Sequence, residues 1–170
     1  VKRDTLGAAG YMYQWPGLTA FGTGSGIDRA GNYDERFGAH YRLSGERLIS
    51  VDTSGTSTVL GTIQGTEQAR MKDFYSFNTQ GIIANLKFFL YDPDNGFRQV
   101  TDPDVGEPID GVWINQYYML TDGAYLYHTK VNDEEAIDGT DYATSEFSPD
   151  PTLGLLKTQD NKVIVFDRYS

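Results

Sequence analysis

Four segments of the chain share one pattern, and this repeat constrains the fold more than any other feature. Each segment begins with Gly, continues through a hydrophobic strand and a small polar turn, and closes with a second strand ending in Asp. The segments are Gly38–Asp52, Gly81–Asp92, Gly111–Asp122 and Gly154–Asp167, and their closing acids are 40, 30 and 45 residues apart. Irregular repeats of about this length, each holding short strands, are typical of β-propeller blades.

The sequence therefore predicts an all-β protein with antiparallel, propeller-like blades, as an incomplete set. A β-sandwich is the second choice, since it also has short strands separated by turns. We expect at least ten strands and less than about 10% helix, because β-branched and aromatic runs dominate. The Asp94–Gly96 stretch predicts a hairpin turn. Asn132–Asp138 predicts one short helical turn, and Gln68–Phe74 is a weaker helical candidate.

Two regions are expected along the chain. Residues 1–36 contain aromatics and glycines without alternation, which indicates an irregular N-terminal arm that packs Trp15 and Phe21 onto the first blade. Residues 37–170 hold the blade repeats. The predicted core is Leu48, Ile49, Val51, Phe88, Leu90, Val112, Ile114, Tyr118, Leu120, Tyr125, Tyr127, Val163, Val165 and Phe166.

No group of residues in the sequence indicates catalysis, a cofactor or a metal ion. The Gly22–Gly26 stretch lacks the Lys-Ser/Thr and the helix that a phosphate-binding loop needs. Asp92–Gly96 resembles the start of a calcium loop but lacks the third spaced acid and the distal Glu. His40 and His128 are isolated, and the chain has no cysteine. We therefore expect no enzyme activity, no cofactor and no metal.

Charge and hydropathy limit the partners. The chain has 24 acidic and 14 basic residues, for a net charge of -10. Such a surface repels nucleic acid and anionic lipid over most of its area. No stretch approaches the roughly 18 apolar residues that a membrane-spanning helix needs. These observations predict neither direct high-affinity binding of nucleic acid nor a membrane partner.

The segment from Gly111 to Phe166 carries a family resemblance. It has a strand, the Asp122–Gly123 turn and a second strand, followed by an acidic stretch, Tyr142–Ala143 and a Ser-Pro-Asp turn before a glycine-led strand pair. Upstream, the aromatic-Pro-Gly stretch at residues 15–17 and the hairpin at residues 41–52 extend the match. The chain thus resembles the tail-hub proteins of short-tailed phages, also called packaged-DNA stabilisation proteins.

This resemblance implies a β-propeller-rich component of the virion tail, made in the host cytoplasm. Such a protein joins the head-to-tail channel and retains packaged DNA through protein–protein contacts. Its expected partners are other tail or portal-proximal proteins and further copies of itself, and there are no catalytic residues to carry over. The alternative is a carbohydrate-binding or glycosidase-type propeller, because paired carboxylates are the minimum for sugar hydrolysis.

The candidate partner interface lies in the acidic stretch that follows the third repeat. It comprises Asp133, Glu134, Glu135 and Asp138, with Trp15 from the N-terminal arm. We expect the acids to form a loop on the rim between blades, facing Lys or Arg of a neighbour, because rim loops carry contacts while blades hold them rigid. Neutralising Asp133, Glu134 and Glu135 should weaken assembly and leave folding nearly intact. The last strand should self-associate or be covered, since bare strand edges invite pairing.

Overall fold

The computed structural model describes residues 2–3, 10–11, 22–34, 38–73, 79–144 and 150–169. Apart from one 3₁₀ turn at Pro103–Val105, the regular structure in these ranges is β-strand. A ribbon pairs β1 (Lys2–Arg3) with β2 (Gly10–Tyr11). The first four-stranded sheet is β3 (Asp28–Asp34), β4 (Ala39–Ser44), β5 (Arg47–Asp52) and β6 (Ser57–Thr62). The second is β7 (Arg70–Asp73), β8 (Gln80–Ala84), β9 (Lys87–Asp92) and β10 (Gly96–Gln99).

The third sheet is β11 (Asp110–Ile114), β12 (Tyr117–Thr121), β13 (Leu126–Lys130) and β14 (Asp133–Ala143). The fourth has two strands, β15 (Thr152–Lys157) and β16 (Val163–Asp167). All pairings are antiparallel, and the prediction of at least ten strands is confirmed. In the ranges that the structure describes, no helix has the length and apolar character needed to cross a membrane.

The sheets are stacked as blades around a common axis. The first strand of each sheet lies beside the first strand of the next, so that β7 neighbours β3, β11 neighbours β7 and β15 neighbours β11. These strands begin at Asp28, Arg70, Asp110 and Thr152, at intervals of 42, 40 and 42 residues. Strand β15 does not pack extensively on β3, so the ring of blades is open. The predicted all-β, propeller-like and incomplete architecture is confirmed.

The sequence repeat and the blade turn out to be different units. Each predicted repeat is an antiparallel hairpin, as expected. In the first two sheets the hairpin supplies the second and third strands, whereas in the third and fourth sheets it supplies the first and second strands. This offset accounts for the short interval of 30 residues between the second and third closing acids, although the blades recur every 40 to 42 residues.

Local turn chemistry forms these hairpins. The Asn85–Leu86 and Asn115–Gln116 turns have positive φ at both positions, which matches the right-handed twist of the flanking strands. The Asp94–Gly96 turn is the predicted hairpin: Asp92 Oδ1 accepts hydrogen bonds from the Asp94 and Asn95 amides at 3.0 and 2.7 Å, and Gly96 has φ +72°. The acids of this stretch thus serve a turn.

The core lies between successive blades as two clusters. One joins the first and second sheets around Leu43, Leu48 and Ile82, and the other joins the second and third around Phe88, Trp113 and Tyr118. The predicted core residues that are buried are Leu48, Ile49, Val51, Phe88, Leu90, Val112, Ile114, Tyr118, Leu120 and Tyr127.

Four predicted core residues are less buried than expected. Tyr125 is 45% exposed because it follows a turn at the edge of the third sheet, and Phe166 is 49% exposed. Val163 and Val165 are only partly buried. Phe166, Val163 and Val165 lie in the fourth sheet. The face of this sheet that carries Phe166 is not covered by described residues, so its strands are less buried than their apolar sequence suggests.

Three secondary-structure predictions are wrong. Asp28–Asp34 forms β3, so this part of the segment predicted as an irregular arm is a blade strand. Asp133–Asp138 belongs to strand β14, and Gln68–Phe74 contains strand β7. In the last two cases pairing with a neighbouring strand outweighs the weak local helical preference. Trp15 and Phe21 lie outside the described residues, and the division of the chain at residue 36 stays a prediction.

Candidate protein-protein interface

Strand β14 separates the acids that the sequence grouped together. It is the outer strand of the third sheet and pairs with β13, with two register shifts between Tyr127 and Lys130. Asp133, Glu134 and Glu135 lie at its beginning, whereas Asp138 lies roughly 16 Å further along at about 3.3 Å per residue. The predicted rim loop is therefore a strand, and its two ends have different surroundings.

The first end of β14 is tied to the neighbouring blade by Arg98 on β10. The Arg98 guanidinium contacts Glu134 at 3.4 Å and also hydrogen-bonds Glu135. It donates to Asp92 Oδ2 at 2.6 Å, and the Asp92 side chain is only 5% exposed. We call this set of four residues the Arg98 junction. It joins the outer strands of the second and third sheets.

The pKa values in the junction follow from this geometry. Burial opposes the charge on Arg98, but hydrogen bonds to Glu135 and Asp92 outweigh it and raise the Arg98 pKa. Burial also works against the Asp92 carboxylate, yet the Asn95 amide and Arg98 hydrogen bonds lower its pKa below the ordinary value of 3.8. Two of the predicted interface acids, Glu134 and Glu135, are thus occupied within the chain.

Carboxylates of the preceding inter-blade segment cover the backbone of β14. Asp102 Oδ2 accepts a hydrogen bond from the Ile137 amide at 3.2 Å, and Asp104 Oδ2 accepts one from the Gly139 amide at 3.3 Å. The Tyr127 hydroxyl donates to the Val105 carbonyl at 2.7 Å. Side chains of the segment that links the second and third sheets therefore accept hydrogen bonds from backbone amides of β14.

The other end of β14 borders an open cleft of about 310 Å³. We call it the tyrosine–aspartate cleft. Its lining residues are Asp104, Gly106, Asp122, Tyr125, Tyr127, Ile137, Asp138, Gly139 and Tyr142. Three of these carry carboxylates, three are tyrosines, and none is Lys or Arg.

Two exposed tyrosines form one wall of the cleft. The Tyr125 and Tyr142 rings meet edge to face with centroids 5.1 Å apart, and they are 45% and 60% exposed. Tyr127 forms the floor and is buried, and burial together with the nearby Asp122 charge raises its pKa. Tyr127 therefore stays neutral and acts as a hydrogen-bond donor.

Local hydrogen bonds hold the acids of the cleft in place. Asp122 Oδ1 accepts from the Ala124 and Tyr125 amides at 2.8 and 2.7 Å, which orders the turn that presents Tyr125. Asp138 Oδ1 accepts from the Thr140 hydroxyl and amide, and these bonds lower the Asp138 pKa. Ionised carboxylates beside exposed aromatic faces attract a cation.

The sequence identified only part of this arrangement. Of the predicted interface residues, Asp138 lies in the cleft, Asp133 is exposed at the opposite end of β14, and Trp15 lies outside the described residues. Tyr125, Tyr142, Asp104 and Asp122 were not predicted as interface residues. Their proximity depends on the pairing of Tyr127 with Tyr142 across a bulged ladder, which sequence alone does not give. Within the described ranges, no three or more His, Cys, Asp or Glu residues form a group able to hold a metal ion.

Comparison with known proteins identifies the family. The family profile described as bacteriophage P22 Gp10, β-propeller, matches residues 1–170. The chain belongs to this phage stabilisation family. The chain is accordingly a bacteriophage structural protein with a β-propeller fold. The predicted family is confirmed.

One solved structure supports the fold independently. The crystal structure of the computationally designed Ika4 protein is similar with a TM-score of 0.57 at 8% identity, and the match covers 91% of this chain and 99% of Ika4. At this identity the similarity concerns the fold alone. No curated protein sequence matches the chain significantly.

Proposed function

We propose that this protein is a subunit of a homo-oligomeric phage tail component that closes the head-to-tail channel and retains packaged DNA by contacts with other virion proteins. Membership of the phage stabilisation family is the observation that carries this proposal. A propeller suits the role because rigid blades hold their rim in place for partners. We propose no catalytic role for the chain.

The charge distribution supports retention by obstruction. Capture of phosphates requires Lys and Arg that are free to displace counterions, and the chain has a net charge of -10. Two of its arginines are used internally: Arg98 in its junction, and the buried Arg29 in hydrogen bonds to the Glu67 and Ile63 carbonyls at 2.7 and 2.9 Å. We therefore expect the protein to block the channel and not to grip the duplex.

Two measurements test this function. Gel-shift titrations with linear duplex DNA, from low to physiological salt, should show no complex, and tight salt-dependent binding would refute the obstruction model. DNA-filled phage heads that lack the protein should leak DNA, and added protein should slow the leakage. Unchanged leakage at saturating protein would contradict a role in retention.

The tyrosine–aspartate cleft is the proposed contact for a virion partner. We expect it to receive a Lys or Arg side chain, since three carboxylates and two exposed tyrosine rings face it without a lining cation. A cation over a tyrosine face contributes about 0.5–1 kcal/mol at an exposed site, and the nearby carboxylates add to this. Binding should weaken as salt rises, because exposed charges are screened.

A short arginine-containing peptide, with its citrulline counterpart as the uncharged control, probes the cleft. Tyrosine fluorescence should report binding of the arginine peptide only. The double substitution Asp138→Asn and Tyr142→Ala should weaken binding about tenfold, equivalent to roughly 1.4 kcal/mol. Asp133→Asn changes an acid of the same strand outside the cleft and should leave binding unchanged. Equal binding of both peptides would contradict a cation site.

The same cleft is the observation that favours the alternative, carbohydrate binding. Tyrosine faces stack on sugar rings and carboxylates accept hydrogen bonds from hydroxyl groups. A glycan array distinguishes the cation site from a carbohydrate site. A glycan that binds the original chain but not the Asp138→Asn and Tyr142→Ala double variant would favour carbohydrate binding. A test for hydrolysis of that glycan would then separate binding from cleavage.

A further inference from the structure

The turn between β9 and β10 contains the one asparagine of the chain that precedes a glycine, Asn95. An Asn-Gly pair is chemically labile, because a glycine has no side chain to keep its own amide nitrogen from approaching the preceding carboxamide. Asn95 is exposed at the tip of this turn. The turn that shapes the outer hairpin of the second sheet therefore also holds a reactive peptide bond.

The space around this glycine is open. Three Asp-Gly pairs in the chain share the same chemistry, but a carboxylate is a poorer electrophile than a carboxamide. Two of them are also crowded: a side-chain carbon on Gly111 would lie 2.7 Å from Leu120, and one on Gly139 would lie 2.5 Å from Asp104. No described atom lies within 4 Å of the same position on Gly96. The peptide after Asn95 therefore has the room to rotate that ring closure needs.

The reactive carboxamide is part of the support of the Arg98 junction. Asn95 Nδ2 donates to Oδ1 and Oδ2 of Asp92 at 3.2 and 3.3 Å, and the Asn95 backbone amide donates to Oδ1 at 2.7 Å. Arg98 donates to the same carboxylate at Oδ2, at 2.6 Å. Asn95 and Arg98 therefore hold Asp92 between them, and a change at Asn95 reaches the junction directly.

We propose that Asn95 is a site of deamidation and that the reaction weakens the Arg98 junction. The Gly96 amide nitrogen bonds to Asn95 Cγ and the Cγ–Nδ2 bond breaks, so that Nδ2 leaves as ammonia with the Gly96 amide proton. Water then opens the cyclic imide at either of its carbonyl carbons and gives aspartate or isoaspartate at position 95. Water is the only other reactant, and Asn95 borders an open pocket of about 190 Å³ from which water can attack.

The product reverses the interaction with Asp92. A carboxamide that donates hydrogen bonds to the Asp92 carboxylate is replaced by a second carboxylate, and two like charges at this distance repel each other. Asp94 and Glu134 line the same pocket and add to the negative charge. We therefore expect deamidation to loosen the contact between β10 and β14. This inference concerns the covalent chemistry of the chain and does not rest on the proposed function.

Ageing of the folded chain at physiological temperature and mildly alkaline pH tests the reaction. Trypsin then yields the peptide Phe88–Arg98, in which Asn95 is the sole asparagine. This peptide should gain the mass that corresponds to exchange of NH2 for OH and should separate into aspartate and isoaspartate forms, with ammonia released in equal amount. Peptides that contain Asn115 or Asn132 serve as internal controls and should convert more slowly, since neither residue precedes a glycine.

Two variants separate the chemistry from its structural effect. Asn95→Gln keeps the carboxamide but would have to close a six-membered ring, so it should abolish the ammonia and the mass gain of this peptide. Asn95→Asp carries the product charge from the start and should unfold at a lower urea concentration than the original chain. The shift should shrink as salt rises, because it arises from repulsion between charges near the surface. Gln99→Glu adds the same charge at an exposed position of β10 and should leave the urea midpoint unchanged.

Contrary results are clearly defined for each step. No conversion at Asn95 in the folded chain, or conversion no faster than at Asn115, would overturn the assignment of the site. A mass gain that persists in Asn95→Gln would do the same, because the change would then lie elsewhere in the peptide. An urea midpoint of Asn95→Asp equal to that of Gln99→Glu would overturn the effect on the junction. Circular dichroism should show unaltered β-structure in the variants before ageing begins.

Discussion

Strands β14 and β16 are both outer strands of their sheets, and their edges are treated in opposite ways. The edge of β14 carries acids and a bulged ladder, and Asp102 and Asp104 accept hydrogen bonds from its amides. The edge of β16 is short and apolar, and no described strand pairs with it. Side chains of the same chain thus cover the edge of β14, whereas the sheet of β16 has only two described strands.

This difference changes how the acidic stretch is interpreted. Acids on an outer strand protect it from pairing with other sheets, and they need not face a partner. Glu134 and Glu135 also neutralise Arg98, so they have a structural role as well. The expectation that neutralising all three acids leaves folding intact therefore fits Asp133 better than its neighbours. The residues that we propose for a partner contact are those of the tyrosine–aspartate cleft.

The largest contrast is expected between two phenylalanines. Phe88 is 1% exposed in the cluster between the second and third sheets, whereas Phe166 is 49% exposed on the open face of β16. Phe88→Ala should lower the free energy of unfolding by about 3–5 kcal/mol. Phe166→Ala should cost less than about 1 kcal/mol. Urea denaturation measures both, and equal costs would contradict the assigned burial.

The Arg98 junction should give the next largest effect. Arg98→Met keeps most of the side-chain volume but leaves the Asp92 carboxylate nearly buried without its 2.6 Å partner. We expect a loss of about 2 kcal/mol in the free energy of unfolding, since a charged group is left without its hydrogen bond. Asp133→Asn serves as the control at the same end of β14, and should change stability by less than about 0.5 kcal/mol. An unchanged free energy of unfolding in Arg98→Met would show that the junction does not hold the two blades together.

Removing the protection of β14 should make its edge more similar to that of β16. Asp102→Ala removes the acceptor for the Ile137 amide and for the Asp104 amide. We expect a loss of about 1–2 kcal/mol and faster hydrogen exchange at Ile137. Exchange at Leu90, in the core of the second sheet, should be unchanged. Unaltered exchange at Ile137 would indicate that another group protects that edge.

Lowering the pH should have the smallest effect on the free energy of unfolding, and this effect should arise in the Arg98 junction at the beginning of β14. The pKa of Asp92 is lower in the folded chain than its ordinary value of 3.8. The stability that Asp92 contributes is therefore complete above 3.8 and is lost as the pH falls from there through its folded pKa. Urea midpoints measured from neutral pH to about pH 3 should decline in this acidic range. The decline should be shallower in Arg98→Met, and an identical pH profile would exclude Asp92 as its source.

The parts of the fold that the sequence predicts are those determined locally. Hairpins follow from Asn-led and Asp-led turns between β-branched runs, and the buried face of the central strands follows from their apolar residues. Strand β14 was missed because an outer strand buries little: among its described side chains only Ile137 lies in a core cluster. The cleft was missed because Asp104, Tyr125 and Tyr142 come together only through strand pairing and the path of the inter-blade segment. Phe166 has the local pattern of a core residue, and its exposure depends on a neighbouring sheet that the pattern does not report.

The offset between the hairpin repeat and the blade has a consequence for how such chains diversify. The same hairpin pattern supplies the second and third strands in two sheets and the first and second strands in two others. The hairpin sequence therefore determines its own turn and apolar residues. It does not determine how far the hairpin lies from the axis of the propeller, which depends on the surrounding strands. Duplication or exchange of a single hairpin can then alter the number of strands in a sheet while the hairpin keeps its own structure. We therefore expect a single hairpin, and not a whole blade, to be the smallest part of this chain that can be exchanged while keeping its own structure.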